Sequence, residues 1–441
     1  MWLRHECETG RRDVRRSYVS SKMHGAAGRH LPSLTMRGHC GCVNALEFSK
    51  NDGGQWIVSG GDDTRVLVWN ANRIAAGVVE ANSLKTRHAS NIFTVQFDNE
   101  SRCVYSGGND ATVLCHDLGR QEAMDVFPHA EPVYSLSVDP HHSCIFSSAG
   151  QDGKVLLWDR RASSEGSCTR LMQSSHSFHS VAFHPVEPRF IATANVWDGV
   201  RLHDIRQPRK CYIHYGVRQK AMSVAFNRSG TELFVLRRRA PPLLYSVYDA
   251  SDDGCQFLHN GYANACTMKS GCFAGENDEY VVSGSDDFNV YMWRIPSSRE
   301  TRGSVQSSAQ FVLPGHRSIV NQVRFNSRTM VLLTSGVEKI IKMWSLFPSS
   351  SFEEESVPRQ RRRLFTSLDH VDIMLSLGAS TGGRSTAEDE RMLEFFDSLI
   401  EQDHAPSDTD TDSGSSSSGT TTDDGVANDS DDSSSDDGRG C

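Results

Sequence analysis

A motif that returns every 42 to 51 residues limits what this chain can fold into. Four segments align without gaps: "VSGGDDTRVLVWN" at 58–70, "YSGGNDATVLCHD" at 105–117, "SSAGQDGKVLLWD" at 147–159 and "VSGSDDFNVYMWR" at 282–294. Each sets an aspartate six residues before a ring, as Asp63/Trp69, Asp110/His116, Asp152/Trp158 and Asp287/Trp293. A serine stands four residues ahead of each aspartate, at Ser59, Ser106, Ser148 and Ser283. Three weaker copies fit the same register. One has Glu338 before Trp344, one has Trp197 before His203, and one has Arg239 before Tyr245. The ring positions 69, 116, 158, 203, 245, 293 and 344 count seven units. Tandem units of this length build their core by stacking on neighbours, so the chain is predicted to be one repeat architecture and not two or three unrelated domains.

The upstream half of the unit repeats as well. His39, His88, His129 and His316 each precede an alternating apolar run, as in "GHCGCVNALEF" and "GHRSIVNQVRF". Alternation at period two, β-branched residues and Gly/Asp turns mark these runs as short strands. Histidine, serine, aspartate and tryptophan together invite a catalytic reading. Seven quasi-copies argue for structure instead, because one active site is needed once.

The motif set resembles the WD-repeat family over about residues 30–346. That resemblance implies an all-β, seven-bladed propeller of four-stranded blades around a channel. It implies that a strand drawn from "RHLPSLTMRG", just ahead of His39, completes the last blade. It also implies a hydrogen-bonded tetrad within each blade, most complete as His39, Ser59, Asp63 and Trp69, in which Asp receives from His, His from Ser and Ser from Trp. Such a network rigidifies a blade when every member is satisfied.

Departures from the repeat carry the functional reading. Blade five has "LRRRAPPLLY", with Arg237, Arg238 and Arg239 predicted at the turn between its second and third strands, where other blades carry Asp. Three adjacent arginines can hold carboxylates or phosphates with forked geometry. A solvated turn, or pairing with Asp252 and Asp253, is the other reading. Blades three and four end their third strands in "VLLWDRR" and "VRLHDIR", which contain Asp159-x-Arg161 and Asp204-x-Arg206. Two consecutive D-x-R boxes of this kind resemble the motif of the WD-repeat substrate receptors that dock on the damaged-DNA-binding adaptor of cullin-4 RING ubiquitin ligases. Stretches such as "HPVEPRFIATAN", "CTMKSGCFAG" and "EDERMLEFFDSLI" resemble the same family. The resemblance implies adaptor contacts at Asp159, Arg161, Asp204 and Arg206, with Arg237, Arg238 and Arg239 as substrate-binding candidates.

The net charge of −9 belongs to one end of the chain. Residues 404–441 hold ten aspartates and one arginine, so the other 403 residues carry 45 basic and 45 acidic side chains. A neutral body disfavours direct nucleic-acid binding through bulk charge. The expected layout is a flexible basic segment 1–29, the propeller 30–346, a linker 347–385, an amphipathic helix 386–402 and a Ser/Asp-rich disordered tail 403–441. The linker carries a basic run at Arg359, Arg361, Arg362 and Arg363, readable as an import signal or as a solvated loop. In the helix, Thr386 and Asp389 make a capping box, and Met392, Phe395, Phe396, Leu399 and Ile400 share one face. That face packs on the propeller or enters a partner's groove. Ser407, Ser430 and Ser435 precede acidic residues, as acidophilic kinases require.

Twelve cysteines without any C-x-x-C pair, and an N-terminus with no apolar core, point to a reduced intracellular compartment, nuclear or cytoplasmic. No stretch approaches the roughly 20 apolar residues of a membrane-spanning helix. No nucleotide-binding glycine loop, H-E-x-x-H or metal-ligand spacing occurs. The expectation is therefore a non-catalytic receptor subunit without cofactor or metal. Its partners would be the adaptor, the cullin-4 RING complex and protein substrates, possibly nuclear or chromatin-associated. The alternative is a non-ligase WD-repeat scaffold for acidic or phosphorylated nuclear proteins. A propeller enzyme or nucleic-acid binder fits the composition least.

Overall fold

The computed structural model describes residues 22, 31–162, 168–207, 210–215, 220–249, 253–296, 305–306, 308–347 and 351–352. The segment 1–21, the arginine run 359–363, the helix 386–402 and the tail 403–441 lie outside the described residues, as does Asp252.

Seven antiparallel sheets follow one another along the chain. Blade 1 runs through strands Val43–Phe48, Trp56–Gly61, Val66–Asn70 and Ala81–Leu84, here named a to d from the axis outward. Blades 2 to 6 repeat the order. Blade 7 takes its a, b and c strands from Val320–Asn326, Val331–Gly336 and Ile340–Ser345, and its d strand from Ser33–Arg37 at the other end of the propeller. Ser33 faces Trp344 and Arg37 faces Ile340 in that pair, so the expected closure of the ring is observed. Closure leaves each blade only one free outer edge. In blade 5 part of that edge is covered, because Val305–Gln306 pairs parallel to the d strand Cys255–Phe257.

The alternation read from the sequence places seven apolar clusters in the seams between consecutive blades. One joins blades 7 and 1 through Met36, Leu46, Trp69 and Met343. Another joins blades 2 and 3 through Tyr105, Phe127, Phe146 and Trp158. All seven ring positions, including His116, His203 and Tyr245, are buried. A register shift recurs near the start of the a strand in blades 1 to 5 and 7, at Val43/Ala45, Ile92/Thr94, Val133/Ser135, Phe178/Ser180, Ala221/Ser223 and Val320/Gln322. A bulge repeated at one place bends each inner strand alike, as a feature of the unit.

The b–c turns explain why an acid precedes the ring. Asp63, Asp110, Asp152 and Asp287 each accept the N–H two residues on, at 3.3, 3.2, 3.0 and 3.2 Å. The intervening residue has φ of 59° at Thr64, 56° at Ala111, 67° at Gly153 and 73° at Phe288. Local side-chain acceptors make this left-handed turn affordable for residues with a Cβ.

Candidate docking faces

The turns sort by face. The b–c turns and d–a loops share one rim of the ring, here the upper face. The a–b and c–d loops share the lower face.

On the upper face of blade 1 the tetrad is complete. His39 Nδ1 lies 2.9 Å from Asp63 Oδ1, Ser59 Oγ is 2.7 Å from His39 Nε2, and Trp69 donates from Nε1 to Ser59 Oγ at 2.9 Å. Burial alone would raise the Asp63 carboxyl, but the hydrogen bond and charge of His39 outweigh it and hold Asp63 below the usual carboxylate range. Blade 2 keeps the chain with a second imidazole in the ring place. His88 reaches Asp110 at 2.8 Å and Ser106 at 2.7 Å, and Ser106 Oγ is 2.8 Å from His116 Nε2. Burial pushes His116 down to about 3, so it stays neutral.

Three copies depart from the most complete pattern. In blade 3, His129 Nδ1 turns to the Phe127 carbonyl at 3.0 Å instead of Asp152, while His129 to Ser148 and Trp158 to Ser148 stay at 2.7 and 2.9 Å. In blade 6, which lacks the histidine, Tyr262 Oη meets Ser283 at 3.0 Å and the Trp293 indole donates to the Leu258 carbonyl at 2.9 Å. Blade 7 substitutes Thr334, which lies 2.7 Å from His316 and accepts from Trp344 at 2.8 Å. With the exception of the buried His116 Nδ1, these networks are met by protein groups, the pattern of structural residues.

The arginines of blade 5 are placed differently from one another. Arg237 ends the b strand Glu232–Arg237 and is not part of the turn, a correction to the sequence reading. Its guanidinium folds onto the Pro241 carbonyl at 2.9 Å. Arg238 Nε donates to the Ala265 carbonyl at 3.0 Å. Arg239 occupies the turn with φ 56°, donates its N–H to Asn264 O at 2.7 Å and is exposed. Also on the upper face, Trp197 in the b–c turn of blade 4 is 49% exposed and stacks on His176 at 5.4 Å.

The a strands line a central cavity of about 310 Å³, whose wall includes Thr94, His179, Met222, Lys269, Gln322 and Arg324. Two ion pairs brace it. Glu47 meets Arg324 at 3.1 Å, with Gln96 also on Glu47 at 3.1 Å, and the buried Lys269 contacts Asp286. Glu47, Gln96 and Arg324 hold the same place in the a strands of blades 1, 2 and 7, just before Phe48, Phe97 and Phe325. The repeat does not say which residue type stands there, and Lys269 and Asp286 pair at unlike places within blade 6.

The lower face carries both D-x-R boxes in one geometry. Arg161 donates to Asp159 from its backbone N–H at 3.0 Å, from Nε at 3.0 Å and from Nη2 at 2.8 Å. Arg206 repeats this on Asp204 at 3.0, 2.9 and 2.5 Å. Both arginine side chains are 62% exposed. The hydrogen bond from Arg206 draws Asp204 down to about 2, and the one from Arg161 lowers Asp159. Beside the second box, Tyr212 packs on Phe190 at 4.9 Å and Arg189 stands 4.6 Å over the same ring. Val186, Tyr212 and Tyr248 are exposed there. Sequence reasoning passed over this apolar margin, although the a–b loop "HPVEPRF" was a usable signal, being apolar where such loops are usually polar.

Among the described residues no group of three or more His, Cys, Asp or Glu side chains could hold a metal ion, and no helix is long and apolar enough to cross a membrane.

The family model for the WD domain, G-beta repeat, matches residues 31–70, 81–117, 122–159 and 307–345. With seven blades and the tetrads above, these matches show WD repeats in a seven-bladed propeller. Its likeness to DDB1- and CUL4-associated factor 5 of Homo sapiens is 47% identity over 397 residues, covering 87% of this chain and 42% of that protein. The Mus musculus protein matches to the same extent. WD and tetratricopeptide repeats protein 1 of Homo sapiens is 30% identical over 183 residues, 39% of this chain and 26% of that protein. The chain thus spans less than half the length of these curated relatives.

Proposed function

We propose that this chain is a non-catalytic substrate receptor of a cullin-4 RING ubiquitin ligase. In this reading the lower face, through Asp159, Arg161, Asp204 and Arg206, docks on the damaged-DNA-binding adaptor. The upper face, around Arg238, Arg239 and the rim of the channel, holds the protein to be ubiquitinated, in the nucleus or cytoplasm. The observation that carries it is the pair of D-x-R boxes on consecutive blades, in one conformation and on one face. An arginine already held in place by its own aspartate loses little side-chain freedom on binding, and so contributes more of its contact energy to the complex. The exposed apolar margin beside Asp204 and Arg206 suits the same role. The relatives' printed name, with its association to DDB1 and CUL4, supports the choice of partner.

The test is recovery of the adaptor with the full chain and with the Arg161→Ala/Arg206→Ala variant. Adaptor with the first and little with the second is expected. No adaptor with the wild type would overturn the ligase reading in favour of a scaffold outside the ligase. Equal recovery from both would overturn the assignment of the face.

A further inference from the structure

Arg160 sits inside the first D-x-R box yet has no part in the docking proposal. Its backbone continues the turn, with its N–H on the Cys144 carbonyl at 2.9 Å. Its side chain runs the other way, into the seam between blades 2 and 3. There Nη1 is 3.4 Å from Cys103 Sγ and 3.4 Å from Cys115 Sγ, while Nε is 3.4 Å from Asp125. The two cysteines lie on paired strands, Cys103–Gly108 and Thr112–Asp117. Cys103 faces Asp117 and Tyr105 faces Cys115, which makes the cysteines diagonal neighbours on one side of the sheet. Both are free thiols and buried, Cys103 at 6% exposure and Cys115 at 0%.

Two thiols sharing one guanidinium are not equivalent. A hydrogen bond from Cys115 and the nearby Arg160 bring Cys103 down to about 7 against the effect of burial, and the same bond together with burial pushes Cys115 up. Cys103, the less deeply buried of the two, is the sulfur disposed toward thiolate, and the fully buried Cys115 the one disposed to keep its proton. Thiolate beside a cation is the arrangement that makes a cysteine a nucleophile toward oxidants.

We propose that Cys103 and Cys115 form a hydroperoxide-sensitive dithiol, with Cys103 as the attacking sulfur, Arg160 as the cation that holds its thiolate and Cys115 as the resolving thiol. The Cys103 thiolate attacks one peroxide oxygen. An S–O bond forms as the O–O bond breaks, and the departing oxygen takes a proton and leaves as water or alcohol. Cys115 sulfur then attacks the Cys103 sulfenic acid, an S–S bond forms, and the hydroxyl leaves as water with the Cys115 proton. The two thiols are oxidised by two electrons and the peroxide is reduced by two. The product has no thiolate, so Arg160, behind the turn carrying Asp159 and Arg161, keeps Asp125 and loses its charged sulfur partner. The chemistry does not depend on what docks at that turn.

Residues 103–120 form a single tryptic peptide, between Arg102 and Arg120, and contain both cysteines. The test treats the folded full chain with stoichiometric hydrogen peroxide, blocks the remaining thiols and measures this peptide by mass spectrometry. The expected product is lighter by two hydrogens and carries no blocking group, and it forms before the exposed Cys40, Cys168 and Cys211 are oxidised. Arg160→Gln should slow it by about five- to tenfold, the effect of returning Cys103 toward an ordinary thiol pKa. Arg160→Lys, which keeps a cation, should restore much of the rate and guards against a folding defect. Cys115→Ser should leave a Cys103 sulfenic acid that dimedone labels. Oxidation of Cys40, Cys168 and Cys211 with Cys103 and Cys115 still reduced would overturn the proposal, as would an undiminished rate in Arg160→Gln.

Discussion

Trp69 donates its indole N–H to Ser59 Oγ at 2.9 Å, and both residues are buried in the seam beside blade 7. The serine in turn lies 2.7 Å from His39. Ser59→Ala leaves two buried ring nitrogens without partners, at about 1–3 kcal/mol for each group so orphaned. Ser283→Ala in blade 6 should cost less, about 1 kcal/mol, because Trp293 there bonds to the Leu258 carbonyl and keeps its partner. Denaturant unfolding of the two variants checks the order. A larger loss for Ser283→Ala would refute the reading of these tetrads.

Acid should weaken the fold before carboxylates titrate. Burial holds His116 at about 3 and His203 at about 4, against about 6.5 in an unfolded chain. Below that unfolded value the unfolded chain binds protons that the folded one does not, so stability present above about pH 6.5 is lost as the pH falls toward these folded values. Asp63, Asp110 and Glu338 are lowered too, and their contribution disappears only below about pH 4. His116→Trp keeps an N–H donor for Ser106 and removes one proton site. The slope of melting temperature against pH between about 6.5 and 4 should be shallower in this variant.

The ring is held shut by a strand from each end of the propeller, so its weak point is local. Met36 on Ser33–Arg37 is fully buried against the core shared with blade 1. Met36→Ala should cost about 2–4 kcal/mol by cavity formation. An unfolding midpoint equal to wild type would show that the closing strand contributes little to the fold.

At Arg239 stability and function are predicted to part. Its φ of 56° strains any residue with a Cβ, and its side chain is exposed on the upper face. Arg239→Gly should raise stability by up to about 1 kcal/mol while lowering recovery of substrate proteins and leaving the adaptor bound. Undiminished substrate recovery would return this turn to a solvated role.

Most of the fold was legible because the unit repeats. The ring positions and the b–c turns follow from one motif read seven times, an alternation of period two says which side of each strand is buried, and the closing strand followed from the resemblance to the WD-repeat family. The exceptions are single-copy events. His129 leaves Asp152 for the Phe127 carbonyl, a choice made by the local loop and not by residue type. Arg237 joins the b strand, where its backbone pairs with Ala221, and its guanidinium folds onto the Pro241 carbonyl. The pairs Glu47–Arg324 and Lys269–Asp286 unite residues from different blades or from different positions in the unit, which no repeat can reveal. Of the candidate site, the D-x-R boxes could be read directly, since both partners of each ion pair sit two residues apart. The apolar margin at Val186, Tyr212 and Tyr248 was legible only in its a–b loop, because Tyr212 and Tyr248 join it from other loops and strands.

The central claim is that Arg161 and Arg206 form one docking surface, and the affinity of the purified full chain for the purified adaptor tests it most directly. Titration by calorimetry should give saturable binding for the wild type, a loss of about tenfold or more for each of Arg161→Ala and Arg206→Ala, and a greater loss for the double variant. Wild-type affinity in the double variant, with an unchanged melting temperature, would contradict the account.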